Sequence, residues 1–138
     1  RVENALAAAP HRLRVLRAGY LPFDALSGFL GGADVVAYPS LGEGFGLPVL
    51  EAMASGACVL TTRRLALPEV GGDAVAYCGV GTGDIAAGLR ELLDDRVRRA
   101  ELAQAALRRA KEFSWAASAQ AHREAYDRAR HRHRSRES

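Results

Sequence analysis

Short apolar runs alternate with stretches of helical periodicity along most of the chain. The runs typical of β-strands cover residues 12–17, 34–39, 57–61 and 74–78. The third run is almost entirely apolar, as is typical of a parallel strand that is covered on both faces. Alternation of this kind predicts an α/β fold with a parallel sheet flanked by helices.

Helical periodicity separates and follows these runs. The expected helices cover residues 22–30, 48–55, 84–93 and 96–111, and a last one begins after Ser114. Pro48 suits the first turn of a helix, where its missing N–H would be unpaired anyway, and Gly56 suits the position just after a last turn. Asp84 and Ser114 are the expected N-caps of their helices.

The helix that follows Asp84 is expected to turn four apolar side chains inward, those of Ile85, Leu89, Leu92 and Leu93. Beyond residue 130 the apolar periodicity ends. The expected organisation is therefore one domain over residues 1–130 and a basic disordered tail over residues 131–138.

The excess positive charge lies near the C-terminus. The chain of 138 residues has a formal net charge of +3, and residues 122–138, with six Arg and three acidic residues, carry all of it. A nucleic-acid-binding domain usually has a basic face on its folded part, so nucleic acid is not an expected partner. The alternative is weak contact of the tail with anionic lipid head groups. Cys58 and Cys78 lack metal or redox spacing, and buried reduced thiols are expected.

The loop over residues 40–46 has the composition of a phosphate-binding segment. It follows a strand, contains three glycines and leads into the helix that starts at Pro48. Helix N-termini present unpaired N–H groups, and glycine lets the backbone approach a ligand closely. Parallel sheets bind ligands beyond the carboxyl ends of their strands, so this loop and the loop over residues 62–72 are expected to form the site.

Two carboxylates flank this phosphate seat, Glu43 in the loop and Glu51 in the helix. A carboxylate can accept hydrogen bonds from two adjacent hydroxyl groups, such as those of ribose or a hexose. A nucleotide sugar, with a sugar, a diphosphate and a ribose, fits one Glu at each end. The alternatives are a solvated loop carboxylate for Glu43 and a helix-dipole partner for Glu51.

The segment E-G-F-G-L-P-V-L-E-A-M-A-S-G, from Glu43 to Gly56, resembles the signature of the group-one retaining glycosyltransferases with the GT-B fold. Further short motifs stand in that family's order and spacing, at residues 19–22, 32–35, 38–40, 67–70, 72–74 and 113–115. The resemblance covers roughly residues 12 to 127. It implies that the chain is part of the C-terminal, donor-binding half of such an enzyme, with a Rossmann-like parallel sheet flanked by helices. The chain opens with Arg1 rather than Met, and a fragment or a processed chain is expected.

The resemblance also implies how the donor is held. Glu43, as the catalytic residue, would orient the donor sugar, and Glu51 would hold the ribose hydroxyls. The residues implied to face the sugar and diphosphate are Glu43, Gly44, Phe45, Gly46 and Leu47, and those implied to hold the nucleotide are Glu51, Pro39 and Ser40. Members of the family are typically metal-independent, so the resemblance implies a UDP-sugar or GDP-sugar donor with no metal and no cofactor.

One part of the family's machinery has no counterpart in this sequence. An Arg and a Lys that clamp the diphosphate normally precede the matched region, and Lys111 is the only lysine here. Arg63 and Arg64, in the loop over residues 62–72, are candidates to reach a phosphate instead. Glu69, in the same loop, is expected to brace that loop rather than contact the ligand.

The expected function is therefore binding of a nucleoside-diphosphate sugar, as the donor half of a retaining hexosyltransferase that transfers the sugar to an acceptor hydroxyl. Without the acceptor domain, its expected partner, the isolated chain is expected to be inactive. The expected location is cytoplasmic, with the inner membrane face and a lipid acceptor as a further option. The alternative function is a non-catalytic nucleotide-sugar-binding module, or a subunit that needs a partner chain.

Overall fold

A three-stranded parallel sheet lies at the centre of the computed structural model, which describes residues 2–10 and 13–134. The strands, in the spatial order β1-β2-β3, are β1 (Val36–Tyr38), β2 (Val59–Thr62) and β3 (Ala76–Cys78). The register pairs Tyr38 with Thr61 and Thr62 with Cys78. The carboxyl ends of the strands therefore lie side by side, and the expected α/β fold with a parallel sheet is confirmed.

Helices connect and follow the strands. Within the described residues they are α1 (Val2–Ala7), α2 (Phe23–Gly31), α3 (Leu47–Ala54), α4 (Leu67–Gly71), α5 (Thr82–Asp94), α6 (Arg96–Ala110) and α7 (Trp115–Arg134). Helix α1 was not expected from the sequence, and α4 falls where a loop was expected. A helix of five residues is too short to show helical periodicity, but Pro68 stands in its first turn, where proline is favoured.

Two apolar clusters cover the sheet. The larger one packs α3, α4 and α6 against β2, with Val49, Met53, Val59, Val70 and Ala106 among its buried residues. The smaller one consists of the buried residues Cys58, Leu60, Ala76 and Leu92. Val59 and Leu60 belong to different clusters because successive side chains of a strand point to opposite faces. The near-continuous apolar run of β2 thus follows from its burial on both faces.

The expected strand over residues 12–17 is wrong. Residues 13–19 have no regular secondary structure, and residues 11 and 12 lie outside the described part of the chain. Leu13 and Leu16 are exposed by 57% and 74%, so the alternation buries no apolar face. A strand needs such a face and a pairing partner to be stable. In the described part of the chain the sheet therefore begins at β1, which is an edge strand.

Two expectations for α5 are corrected. The helix begins at Thr82 after Gly81, and Asp84 is its third residue rather than its N-cap, with a carboxylate that accepts the Gly81 N–H at 3.3 Å. Leu92 is 1% exposed, whereas Leu93 is 52% exposed and does not face inward. Adjacent residues of a helix lie about 100° apart, so only one of the two leucines reaches the centre of the buried face.

Helix α7 extends further than the sequence suggested. Ser114 is its confirmed cap, because its hydroxyl accepts the Ala117 N–H at 3.1 Å. The helix continues to Arg134 and so covers residues 131–134 of the expected disordered tail, while residues 135–138 lie outside the described part. Ion pairs at helical spacing, such as that between Glu124 and Arg128, support it. No helix in the described part is both long and apolar enough to cross a bilayer.

Candidate functional site

The carboxylate of Glu43 is fixed at the carboxyl end of β1. The Tyr38 hydroxyl donates to its Oε1 at 2.7 Å, and the Ser40 hydroxyl donates to the same oxygen at 2.9 Å. These two bonds, that from Tyr38 first, lower the pKa of the Glu43 carboxyl below its ordinary value. Glu43 is therefore ionised at neutral pH, and neither bond occupies its second oxygen, Oε2.

Two buried threonines at the end of β2 hold the backbone beneath Glu43. The Thr61 hydroxyl donates to the Tyr38 carbonyl at 2.8 Å, and the Thr62 hydroxyl donates to the Ser40 carbonyl at 2.6 Å. Both threonines are at most 1% exposed. No role was predicted from the sequence for these threonines or for Tyr38. The available signal was a pair of hydroxyl side chains at the end of an otherwise apolar strand.

The N-terminal turn of α3 begins at Gly46 in a left-handed conformation, with φ of 98°. The N–H groups of Val49 and Leu50 both donate to the Gly46 carbonyl, at 3.0 and 3.1 Å. Pro48 has no N–H, and no side chain caps this end of the helix. The donors ahead of Val49 therefore belong to Gly46, which is buried, and Leu47, which is 51% exposed. Such a helix end suits an anion.

The remaining candidates surround this turn. Glu51 is exposed in the second turn of α3, and Gly44 lies in open space between Glu43 and the helix. Pro39 and Ser40 are half-buried at the end of β1. Phe45 is 44% exposed, and its ring meets that of Phe113 edge-to-face. The residues singled out from the sequence thus form one segment around the start of α3, with a direct bond between Ser40 and Glu43.

The segment over residues 62–72, the second loop expected to form the site, follows β2 at the carboxyl end of the sheet. The Arg63 guanidinium is placed over the ring of Tyr77 at 4.1 Å, and the Tyr77 hydroxyl donates to the Gly72 carbonyl at 2.8 Å. Arg64 is exposed. Glu69 is exposed in the first turn of α4, and its carbonyl accepts a bond from Arg109. Glu69 thus takes part in holding the loop through its backbone.

The cysteines stand apart from this chemistry. Cys58 is buried as expected, whereas Cys78 is only half-buried, and neither forms a disulfide. Burial raises the pKa of both thiols, as expected for structural cysteines. Across residues 2–10 and 13–134, no three side chains of His, Cys, Asp or Glu come together as a metal site would need.

The family model described as glycosyl transferases group 1 matches residues 3–109. The chain belongs to the group 1 glycosyltransferases. The match includes β1, β2, β3 and the whole segment from Pro39 to Glu51, so the group 1 family accounts for both the sheet and the loop that carries Glu43.

Individual relatives are similar over most of the chain. An O-antigen chain mannosyltransferase B from Escherichia coli is 40% identical over 99 residues, which are 70% of this chain and 26% of the relative. A D-inositol 3-phosphate glycosyltransferase from Corynebacterium aurimucosum is 42% identical over 96 residues, 63% of this chain and 21% of the relative. One from Kineococcus radiotolerans is 44% identical over 110 residues, 70% and 25% respectively. The chain thus spans about a quarter of the length of these relatives.

Proposed function

We propose that this group 1 glycosyltransferase chain binds a nucleoside-diphosphate sugar, as the donor half of a retaining hexosyltransferase that transfers the sugar to an acceptor hydroxyl. The observation that carries the proposal is the ionised Glu43 carboxylate, fixed by two hydroxyls beside the uncapped N-terminal turn of α3. A carboxylate next to an anion-binding helix end suits a ligand with sugar hydroxyls joined to a phosphate. The similarity to a mannosyltransferase supports a hexose donor, because mannose is a hexose.

In this proposal α3 stabilises the leaving diphosphate. The N–H groups of Gly46 and Leu47 and the positive end of the helix dipole would face the negative charge that increases as the nucleotide leaves. Backbone donors of this kind need no reorientation, so the donor site is proposed to work without a metal ion. Arg63 and Arg64, in the neighbouring segment over residues 62–72, would add positive charge.

Glu43 and Glu51 hold the two ends of the donor. Oε1 of Glu43 is engaged by Tyr38 and Ser40, so we assign Oε2 to hydroxyls of the donor sugar. Glu51, which is exposed in the second turn of α3, takes the ribose hydroxyls, and Pro39 and Ser40 lie near the base. The acceptor approaches from the side on which the diphosphate leaves, as retention of configuration requires, and it is held by a part of the longer protein beyond this chain.

The proposal is tested by a thermal-shift titration of this chain with UDP, GDP and ADP. A nucleotide at 100 times its dissociation constant adds roughly 2.7 kcal/mol of stability. We expect a shift with one nucleotide, loss of the shift in Glu51→Ala, and a normal shift in the matched control Glu101→Ala, which removes another exposed carboxylate from a helix. A folded wild-type sample that responds to none of the three contradicts donor binding by this chain.

A transfer assay separates the enzyme from the non-catalytic alternative. In the longer protein that contains this segment, release of free nucleotide from the bound donor in the presence of acceptors supports the hexosyltransferase. Tight donor binding without transfer to any acceptor hydroxyl supports the binding module.

A further inference from the structure

We propose that Arg109, in the last turn of α6, and Phe113, just beyond the end of that helix, are positioning residues that set the shape of the N-terminal turn of α3. The inference rests on the proposed function, because that turn is the proposed diphosphate seat. Neither residue belongs to the loops at the carboxyl end of the sheet. Arg109 nevertheless donates to the carbonyls of Val70 and Glu69, which precede it in the chain by 39 and 40 positions.

The first contact runs from Phe113 to the glycine-rich loop. The Phe45 and Phe113 rings meet edge-to-face, with centroids 6.0 Å apart and planes at 83°. Phe45 stands between Gly44, around which a side chain would find open space, and Gly46, which is left-handed. Glycines supply no side-chain contacts of their own, so the placement of this stretch depends on the aromatic pair.

The second contact runs from Arg109 to α4. Its Nε donates to the Val70 carbonyl at 2.7 Å, and its Nη2 donates to the Glu69 carbonyl. These carbonyls lie near the end of a five-residue helix, where acceptors lack partners within the helix. The guanidinium also lies so close to Gly72 that an added Cβ would stand 2.9 Å from Arg109 Cζ. Arg109 therefore fixes the far end of α4 through charge-assisted bonds.

The two contacts are joined at Arg109. Its guanidinium lies 5.5 Å from the centre of the Phe113 ring, and the Phe113 N–H donates to the Ala110 carbonyl at 3.2 Å. Phe113 is thus held against the end of α6 by its backbone and by a cation–π contact. One arginine side chain links α4 to the ring that supports Phe45.

Both sets of contacts reach Gly46, at the start of α3. Leu67, in the first turn of α4, is fully buried, and a Cβ on Gly46 would stand 2.8 Å from its Cδ2. Gly46 is thus contacted by Leu67, whose helix Arg109 holds, and it follows Phe45, whose ring Phe113 holds. The Gly46 carbonyl accepts the first hydrogen bonds of α3, from Val49 and Leu50. The geometry of that turn is therefore coupled to Arg109.

The experiment measures amide hydrogen exchange by NMR in this chain without nucleotide. Arg109→Met removes both carbonyl bonds and the charge over the Phe113 ring. We expect the amides of Val49 and Leu50 to exchange roughly tenfold faster, the size of effect that follows from losing a charge-assisted bond. The matched control is Arg108→Met, which changes an exposed arginine of the same helix turn and should leave these amides unchanged.

Conservative variants distinguish positioning from general support of the fold. Phe113→Tyr keeps the ring edge and should exchange like the wild type, whereas Phe113→Leu keeps an apolar side chain and should exchange faster at Val49 and Leu50. The amide of Leu60, in the middle strand, reports global stability. Acceleration at Leu60 equal to that at Val49 would overturn the inference, and so would unchanged exchange at Val49 in the folded variants.

Nucleotide binding gives the second readout. If the wild type binds a nucleotide, Arg109→Met should weaken the affinity roughly tenfold while Arg108→Met does not. A wild type that binds no nucleotide contradicts the proposed function but leaves the exchange experiment intact, since exchange needs no ligand. If Arg109→Met does not fold, Arg109→Lys, which keeps the charge without the planar fork, and Phe113→Leu give the answer.

Discussion

Two hydroxyl groups converge on one carboxylate oxygen at Glu43, and this has a consequence for ionisation as well as for orientation. Hydrogen bonds to the charged form favour it, so the pKa of the Glu43 carboxyl is lowered, with Tyr38 as the largest cause and Ser40 as the second. The same bond raises the pKa of the Tyr38 hydroxyl. Tyr38 therefore stays protonated, and remains a hydrogen-bond donor, at neutral pH, where Glu43 is charged.

We predict that Tyr38→Phe raises the pKa of the Glu43 carboxyl toward its ordinary value, and does so more than Ser40→Ala. A carboxyl whose pKa is lower in the folded than in the unfolded state stabilises the fold above its ordinary pKa, and loses that contribution as the pH falls through the folded pKa. The loss of unfolding free energy in Tyr38→Phe should thus be largest near neutral pH and should shrink on acidification. Carboxyl NMR titration and urea unfolding across pH measure both effects, and a lowered pKa in the variant would contradict the assignment.

Gly46 is required both by its backbone and by its surroundings. We predict that Gly46→Ala destabilises the chain by about 1–2 kcal/mol, because a side chain at φ of 98° is strained and its Cβ would stand 2.8 Å from Leu67 Cδ2. Urea unfolding measures the loss. The control is Gly44→Ala, at a glycine with open space around it, which should change stability by less than about 0.5 kcal/mol. Equal losses at both positions would show that the left-handed turn is not the cause.

At the scale of the element, β2 does more than pair with its neighbours. Its last two residues extend side-chain hydroxyls to the backbone that leaves β1, at Tyr38 and Ser40. The ladder between β1 and β2 covers three residue pairs. The threonine hydroxyls therefore fasten the loop that carries Glu43 beyond the reach of the ladder.

We predict that Thr62→Val costs about 1–3 kcal/mol, because it leaves the Ser40 carbonyl without its buried donor while changing the side-chain shape little. The same change at Thr82, which is exposed at the start of α5, should be nearly neutral. Chemical denaturation of both variants is the measurement. A Thr62→Val protein as stable as the wild type would mean that water replaces the hydroxyl.

The elements that the sequence predicted well are those whose pattern and burial agree. The apolar run of β2 and the Pro48 and Gly56 limits of α3 describe local preferences that the packing of the core reinforces. The run over residues 12–17 was also expected to be a strand, but residues 13–17 form no strand in the structure. Within α5, helical periodicity alone did not distinguish Leu93, which is exposed, from Leu92, which is buried.

The site was predictable to the extent that chemistry follows chain order. Glu43, Gly46 and Glu51 lie on one short segment, so the sequence could place them around the start of α3. The hydroxyls of Thr61 and Thr62 reach that segment from 22 or 23 positions away, through the register of β1 and β2. Arg109 reaches it through α4, a helix too short to be expected. Contacts of this kind depend on tertiary packing, which a local pattern does not contain.

At the scale of the whole molecule, the sheet is small and its centre is β2. Cys58 stands just before β2, is 3% exposed and belongs to the cluster on the α5 face. Burial raises the pKa of its thiol, so the thiolate is scarce in the folded state. Its reactivity should therefore report opening of the core as a whole.

We predict that Cys58, studied in the Cys78→Ala variant, reacts with a disulfide reagent only at the rate set by global opening. Cys78, studied in Cys58→Ala, should react faster because it is half-buried at the end of β3. A stabilising nucleotide should slow the reaction of Cys58. Kinetics of thiol labelling measure both rates, and equally fast labelling of the two thiols would show that the β2 core opens locally.

The strands neighbour one another in the order in which they occur in the chain, and this bears on how the molecule is made. During synthesis β1 can meet β2 as soon as residue 62 has emerged, and β3 can add to that pair next. Helix α3, however, buries Val49 and Met53 in a cluster that Ala106 of α6 completes. We therefore expect the strands of the nascent chain to pair early. The chain should fold cooperatively only later, once α6 has left the ribosome and completes this cluster. Until then, the α3 face of the cluster is open to chaperones.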